Sequence, residues 1–248
     1  MCTLSWVYHG NSHYEVYFNR DEQRSRLPAI EPQSLLIDEV HCVMPIDPVG
    51  GGSWLVTNEF GVTVCLLNFY QGKMPSGDLI SRGQIIKRLA SSRSSQAVDS
   101  RLLAMDLSVF APFTVVSFDT RRSANETVLW TWDGNQLNRS HASAPLVSAA
   151  LHFEQARQYR LGLFNQLVTS IPSHEIGHRF HQSFDETHPN LSPLMVRNDA
   201  RTVSFTSVIV SPTKQEMNYK SIDDQRNVDF KTTVSCMRTD VVEQGVFK

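Results

Sequence analysis

A cysteine stands second in the chain, in MCTLSWVYHGNSHYEVYFNRDE. Methionine aminopeptidases remove an initiator methionine when the next residue is small, and cysteine qualifies. The processed chain would begin at Cys2, with a thiol and a free α-amine on one residue. A thiol of ordinary pKa ~8.5 is mostly protonated at neutral pH, while an α-amine near ~7.7–8.0 is partly neutral and can accept that proton. Nucleophile and base then share a residue, which suits covalent acyl transfer. A neighbouring arginine would favour the thiolate with a charge that does not titrate away. A carboxylate would orient the amine, and donors would hold the oxygen of a tetrahedral intermediate.

The elements that must bring such groups to Cys2 can be read from the pattern. Residues 4–7 and 14–18 read as strands joined by the turn-like HGNSH. In the second, Tyr14, Val16 and Phe18 alternate with Glu15, Tyr17 and Asn19, so that strand delivers NRDE, 19–22, at its tip. If the two strands pair, Arg20 and Asp21 lie beside the start of the first and become the candidate arginine and carboxylate. SWLVT and GVTVCLLNFY read as a hairpin turning at 58–61, which puts Asn68 at another strand tip as a candidate oxyanion donor. RLPAIEP and MPIDPVGGGS read as Pro/Gly-rich loops.

Helical periodicity is expected over 78–89 and 96–105, and over the longer HFEQARQYRLGLFNQLVTSI. Strands are expected at FTVVSF, TVLWTW and NQLNRSHA, and again at SFTSVIVS and in short pieces after it. Residues 173–193 read as a polar loop. This order lacks regular βα alternation and favours an α+β fold: two antiparallel sheets with helices on both outer sides.

The 248 residues contain no linker and read as a single domain, 1–248, with 41% apolar and 19% charged residues. A formal net charge of −2 gives no electrostatic case for nucleic acid or an anionic membrane. No apolar run approaches the roughly 20 residues of a membrane span, and no secretory leader pattern opens the chain. Cys2, Cys42, Cys65 and Cys236 are scattered without a CxxC pair, as in a reduced, cytoplasmic protein. HEIGH, 174–178, matches the zinc-binding HExxH pattern. Pro172 before it, Gly177 within it and polar surroundings favour an exposed turn instead. The GGG of 50–52 lacks the lysine and following helix of a phosphate loop. His9 and His13 flank the first turn and read as loop histidines, or as part of a substrate pocket.

MC at the start, NRDE at 19–22, GGGSWL at 50–55, LLNFY at 66–70 and SRG at 81–83 occur in an order and spacing that resemble the NRDE family. These are the relatives of the transport-and-Golgi-organisation protein, and the match is specific over residues 1 to about 90. That family is similar to the N-terminal-nucleophile hydrolases of the choloylglycine-hydrolase and penicillin-acylase branch. The resemblance implies a four-layer αββα sandwich with Cys2 as nucleophile at the start of a central strand. It implies catalytic roles for Arg20, Asp21 and Asn68, and makes Asn19, Trp54 and Arg201 the candidates for substrate contact. Trp54, behind its glycines, also reads as an aromatic packed into the core by a tight loop. The family's Ser-Asn-Ala-Leu-like segment has VSAAL, 147–151, as its counterpart, so Ala149 stands where a second oxyanion asparagine is expected.

The activity implied is hydrolysis of a non-peptide linear amide, an N-acyl amine or conjugate, with no metal and no organic cofactor. The alternative is a non-catalytic carrier of haem or an acyl-lipid on the same fold. The expected partner is a small-molecule amide or an apolar ligand.

Overall fold

The structure, a computed structural model, describes residues 2–10, 12–122 and 126–239. The opening alternation does form a hairpin. β1 (Cys2–Tyr8) and β2 (Tyr14–Gln23) pair antiparallel. β11 (Ala200–Val210), β12 (Lys214–Ile222) and β13 (Val228–Met237) extend the sheet beyond β2, and the short β10 (Leu146–Ser148) borders β1. The order of this six-stranded sheet is β10-β1-β2-β11-β12-β13.

The second sheet follows chain order: β3 (Ile30–Ile37), β4 (Val40–Ile46), β5 (Leu55–Asn58), β6 (Val62–Asn68), β7 (Phe113–Asp119), β8 (Val128–Trp132) and β9 (Leu137–His141). All its pairings are antiparallel. The inner faces meet in one core, where Leu4, Trp6, Val16 and Phe18 pack with Leu55, Cys65, Leu67, Val116 and Phe118. On the outer face of the second sheet, α1 (Gly83–Leu89) and α2 (Ser95–Leu103) bury Ile85, Ile86, Leu89, Val98 and Leu102 over Val56, Val64 and Leu66. On the outer face of the first, α3 (Phe153–Ser170) and α4 (Ser173–His181) meet through Phe164, Ile176 and Phe180. The result is the αββα sandwich, and β2 is buried on both faces as a central strand must be.

Several local expectations need correction. The polar loop expected over 173–193 begins as the helix α4. Its buried stripe is narrow but real: Ile176, Gly177, Phe180 and His181 are buried, His178 is half-buried against Tyr17, and Ser173, His174 and Arg179 are exposed. Gly177 permits this contact, because a Cβ there would lie 2.1 Å from the Tyr17 ring. We expect Gly177→Ala to cost about 1–3 kcal/mol by overpacking, despite alanine's better helix propensity. A lower urea midpoint at unchanged m-value would report it.

The loops expected at 26–32 and 44–53 overlap strands, since β3 starts at Ile30 and β4 runs to Ile46. Pro32 is tolerated because β3 is an edge strand. Asp38 and Glu39, both at positive φ (47° and 62°), close its hairpin with β4. The closing strands β12 and β13 hold 9 and 10 residues rather than short pieces. The helix expected from 78 begins at Gly83; Ile80 instead bridges to Phe110.

The GGGSWL and SRG segments turn out to be one packing unit. A Cβ on Gly52 would lie 2.2 Å from the carbonyl carbon of Gly83, and the Ser53 N–H donates to the Gly83 carbonyl at 3.1 Å. The loop before β5 is thereby clamped to the start of α1. That clamp fixes Trp54. Among the described residues, no helix is long and apolar enough to cross a membrane.

Candidate active site

Antiparallel register aligns four residues across the first sheet. Cys2 is opposite Ser148 on one side and Arg20 on the other, and Arg20 is opposite Ser204. Directly opposed residues project to the same face, here the inner face shared with Leu4 and Phe18. Cys2 therefore stands between Ser148, in the wall of a cavity of about 450 Å³, and Arg20, in the wall of another of about 660 Å³.

Arg20 is buried, and its guanidinium carbon lies 4.4 Å from the centroid of the Trp54 ring. One of its nitrogens is 3.1 Å from Glu22 and 3.9 Å from Asp47. Asp47 in turn accepts from the Gly50 N–H at 3.0 Å and from Arg26. Although partial burial opposes it, the Arg26 hydrogen bonds hold the Asp47 carboxyl below the usual carboxylate range. Trp54 thus joins the Arg20 group as well as the core. Its indole N–H is buried without a hydrogen-bond partner among the described residues.

Asp21 projects to the opposite face. Its Oδ1 accepts from the Thr202 hydroxyl at 2.6 Å, and Oδ2 lies 3.9 Å from Arg160 Nη1, both side chains fully buried. Arg160, on α3, donates to the carbonyls of Leu191 (3.0 Å) and Ser192 (2.8 Å) and to the Thr3 hydroxyl. Burial pushes the Asp21 carboxyl above its ordinary range, while the Arg160 charge pulls it back. Burial likewise raises the Cys2 thiol and the Asp21 charge adds to the rise, while the Arg20 charge favours the thiolate.

The remaining candidates separate. The Asn68 side chain donates to the Tyr70 hydroxyl at 2.9 Å, and its carbonyl accepts from Ser148 Oγ, which links it to the residue beside Cys2. Asn19 shares the Asp21 face, where its amide donates to the carbonyls of His181 and Pro193 at 2.8 Å each. It ties β2 to α4 and does not join the Cys2 group. Arg201 lines the larger cavity with Arg20 and is paired to Asp224 at 2.8 Å. Ala149 is fully buried and offers no side-chain donor.

Sequence reasoning missed Arg160, Ser148 and Arg82. Arg160 sits four residues from both Ala156 and Phe164 on the buried stripe of α3, an arginine in an apolar row. Arg82, the middle of SRG, donates to the Pro112 carbonyl at 2.9 Å and lies within electrostatic reach of Cys2. HEIGH is helical rather than a turn, but its histidines diverge. His174 is 69% exposed, whereas His178 packs on Tyr17 and Phe205.

The sequence profile described as Transport and Golgi organisation 2 (TANGO2) matches residues 1–223. The chain belongs to that family. No curated protein sequence matches it. The αββα fold of this TANGO2-family member is shared with solved N-terminal-nucleophile hydrolases. It is similar to the penicillin V acylase from Agrobacterium tumefaciens at 10% identity, with a TM-score of 0.52 over 91% of this chain and 87% of that one. It is also similar to the Caenorhabditis elegans N-acylethanolamine-hydrolyzing acid amidase ortholog at 11% identity, with a TM-score of 0.53 over 84% and 92%. At such identities the likeness is one of fold. The family motifs now have physical roles in this chain: NRDE places Arg20 and Asp21 on the two faces of β2, and GGGSWL with SRG sets Trp54 under Arg20.

Proposed function

We propose that this TANGO2-family chain is a cysteine amidohydrolase that cleaves a non-peptide linear amide, an N-acyl amine or conjugate. The observation that carries this reading is the position of Cys2 directly opposite Arg20 across the β1–β2 pair. Once Met1 is removed, the Cys2 α-amine takes the thiol proton and Sγ attacks the amide carbonyl. The amine then returns the proton to the leaving nitrogen, and water hydrolyses the thioester. Beyond the Cys2–Arg20 pair the next residue of β2 is Asp21, the carboxylate that would orient this amine. Arg20, fixed on Trp54, favours the thiolate or binds a polar part of the substrate.

Asn68 and backbone N–H groups would hold the oxyanion; one Asn68 amide hydrogen goes to the Tyr70 hydroxyl and the second is the donor this role would use. The cavity beside Ser148, walled by Leu129, Leu146, Phe153 and Leu161, has the size and apolarity for an acyl chain. The names of the two solved proteins, an acylase and an acid amidase, support the reaction class.

A second reading is favoured by Ala149, which offers no side-chain donor: a carrier that keeps the fold and cavity for haem or an acyl-lipid without turnover.

The first test is the intact mass of protein produced in a cell with its own aminopeptidase. A mass short by one methionine exposes the required amine; retention of Met1 overturns the hydrolase reading. With Met1 retained by design, we expect slow alkylation of Cys2 by iodoacetamide at neutral pH. It should accelerate as pH rises, because a raised pKa leaves the reactive thiolate scarce until higher pH. The processed protein should react faster at equal pH.

A further inference from the structure

The far end of the β1–β2 hairpin, roughly 20 Å along the strand from Cys2, carries a cluster that the hydrolase reading leaves without a task. His9 Nε2 lies 3.3 Å and His13 Nε2 4.0 Å from the same oxygen of Glu15. The three ligand atoms lie within 4.8 Å of one another, the only such set of three His, Cys, Asp or Glu among the described residues. The two imidazoles face each other with ring centroids 4.7 Å apart.

We propose that His9, His13 and Glu15 form a site for a divalent transition metal, zinc by its chemistry, with a fourth position open to water. Two imidazole nitrogens and one carboxylate oxygen are a zinc donor set, whereas calcium and magnesium take oxygen ligands. Tetrahedral ligands about 2.1 Å from zinc stand about 3.4 Å from one another. The His9–Glu15 separation of 3.3 Å already meets this, and His13 closes the remainder by a small side-chain rotation.

Two further observations point to a ligand. His9 Nε2 is shielded from solvent and makes no aligned hydrogen bond, its polar contact being the Glu15 carboxylate at 3.3 Å. The second oxygen of Glu15 accepts from the Tyr17 hydroxyl, an outer contact of the kind that orients metal ligands. Tyr17 is itself fixed against His178 of α4 and Phe205 of β11. The backbone holds the histidines together, with His9 N–H donating to the His13 carbonyl at 3.0 Å and His13 N–H to the Gly10 carbonyl at 3.2 Å. The ligands are thus prearranged at the folded hairpin, where bound metal would tie the turn to the strand.

The test is calorimetric titration of chelator-treated full-length protein with Zn²⁺, together with the visible spectrum after Co²⁺ addition. We expect one equivalent to bind, tetrahedral cobalt bands, and a rise in the thermal midpoint with zinc. His13→Ala should weaken binding by at least about 10- to 100-fold and remove the thermal shift, with far-UV circular dichroism reporting that the variant folds. Cys2→Ala and His174→Ala should bind as the parent does. Absence of saturable binding overturns the proposal, as does binding that survives His9→Ala and His13→Ala together. Loss of binding in Cys2→Ala or His174→Ala would place the ion elsewhere and overturn it equally.

Discussion

Replacing Cys2 by alanine is expected to lower amide hydrolysis by about 10⁴–10⁶-fold, the scale on which loss of a nucleophile acts. Cys2→Ser should fall nearly as far, because a serine hydroxyl is a far poorer nucleophile without a stronger base. The fold should survive both, since the side chain lies at the end of β1 and neither replacement is larger than cysteine. Steady-state turnover of an N-acyl amine panel, with mass detection of an acyl adduct on the parent protein, measures the effect. Unchanged turnover in Cys2→Ala would remove the nucleophile from the mechanism. Ligand binding without turnover in either protein would favour the carrier.

The second large effect concerns stability. Asp21→Ala leaves the Arg160 guanidinium without its carboxylate in a fully buried setting. Removing one partner of a buried pair costs about 3–5 kcal/mol. In a chain of this size that lowers the thermal midpoint by roughly 6–20 °C. Asp21→Asn should cost less, because it keeps an acceptor for the Thr202 hydroxyl. The pH dependence has a definite sign. Burial raises the Asp21 pKa in the folded state, so its contribution to stability is fully present below the unfolded pKa and declines as pH rises through the folded one. The advantage of the parent over Asp21→Asn should therefore shrink as pH rises from the acid side. Urea unfolding at several pH values checks this, and a growing advantage would mean that the Arg160 attraction outweighs burial.

The pairing of Cys2 with Arg20 was legible in the sequence because strand alternation and hairpin pairing are local rules. Tyr14, Val16 and Phe18 set the face of β2, and that face carries Arg20 to Cys2. The same rule places Asn19 and Asp21 on the opposite face, so Asn19 belongs to the packing of α4. Arg160 was illegible because an arginine in an amphipathic helix reads as solvent-facing, and only the tertiary fold brings Asp21 and Thr3 to it. The helix α4 was hidden for a related reason: its contact depends on Gly177 and on the ring of Tyr17, 160 residues earlier in the chain. The strands β3 and β4 were masked by Pro32 and by the glycine-rich run that follows them.

The contact of Gly52 with Gly83 has a consequence for how this chain can vary. A methyl group on either residue meets the backbone of the other segment, so the two loops must part as soon as one glycine changes. The second change then meets a gap already opened and adds little. The two positions behave as a single mutational target, the damage at the pair falling well short of the sum of the damage at each. What parts with the loops is the seat of Trp54, and with it the guanidinium that faces Cys2. Lesions in either glycine segment, neither of which holds Cys2, would therefore register as defects in thiol reactivity before they register as unfolding.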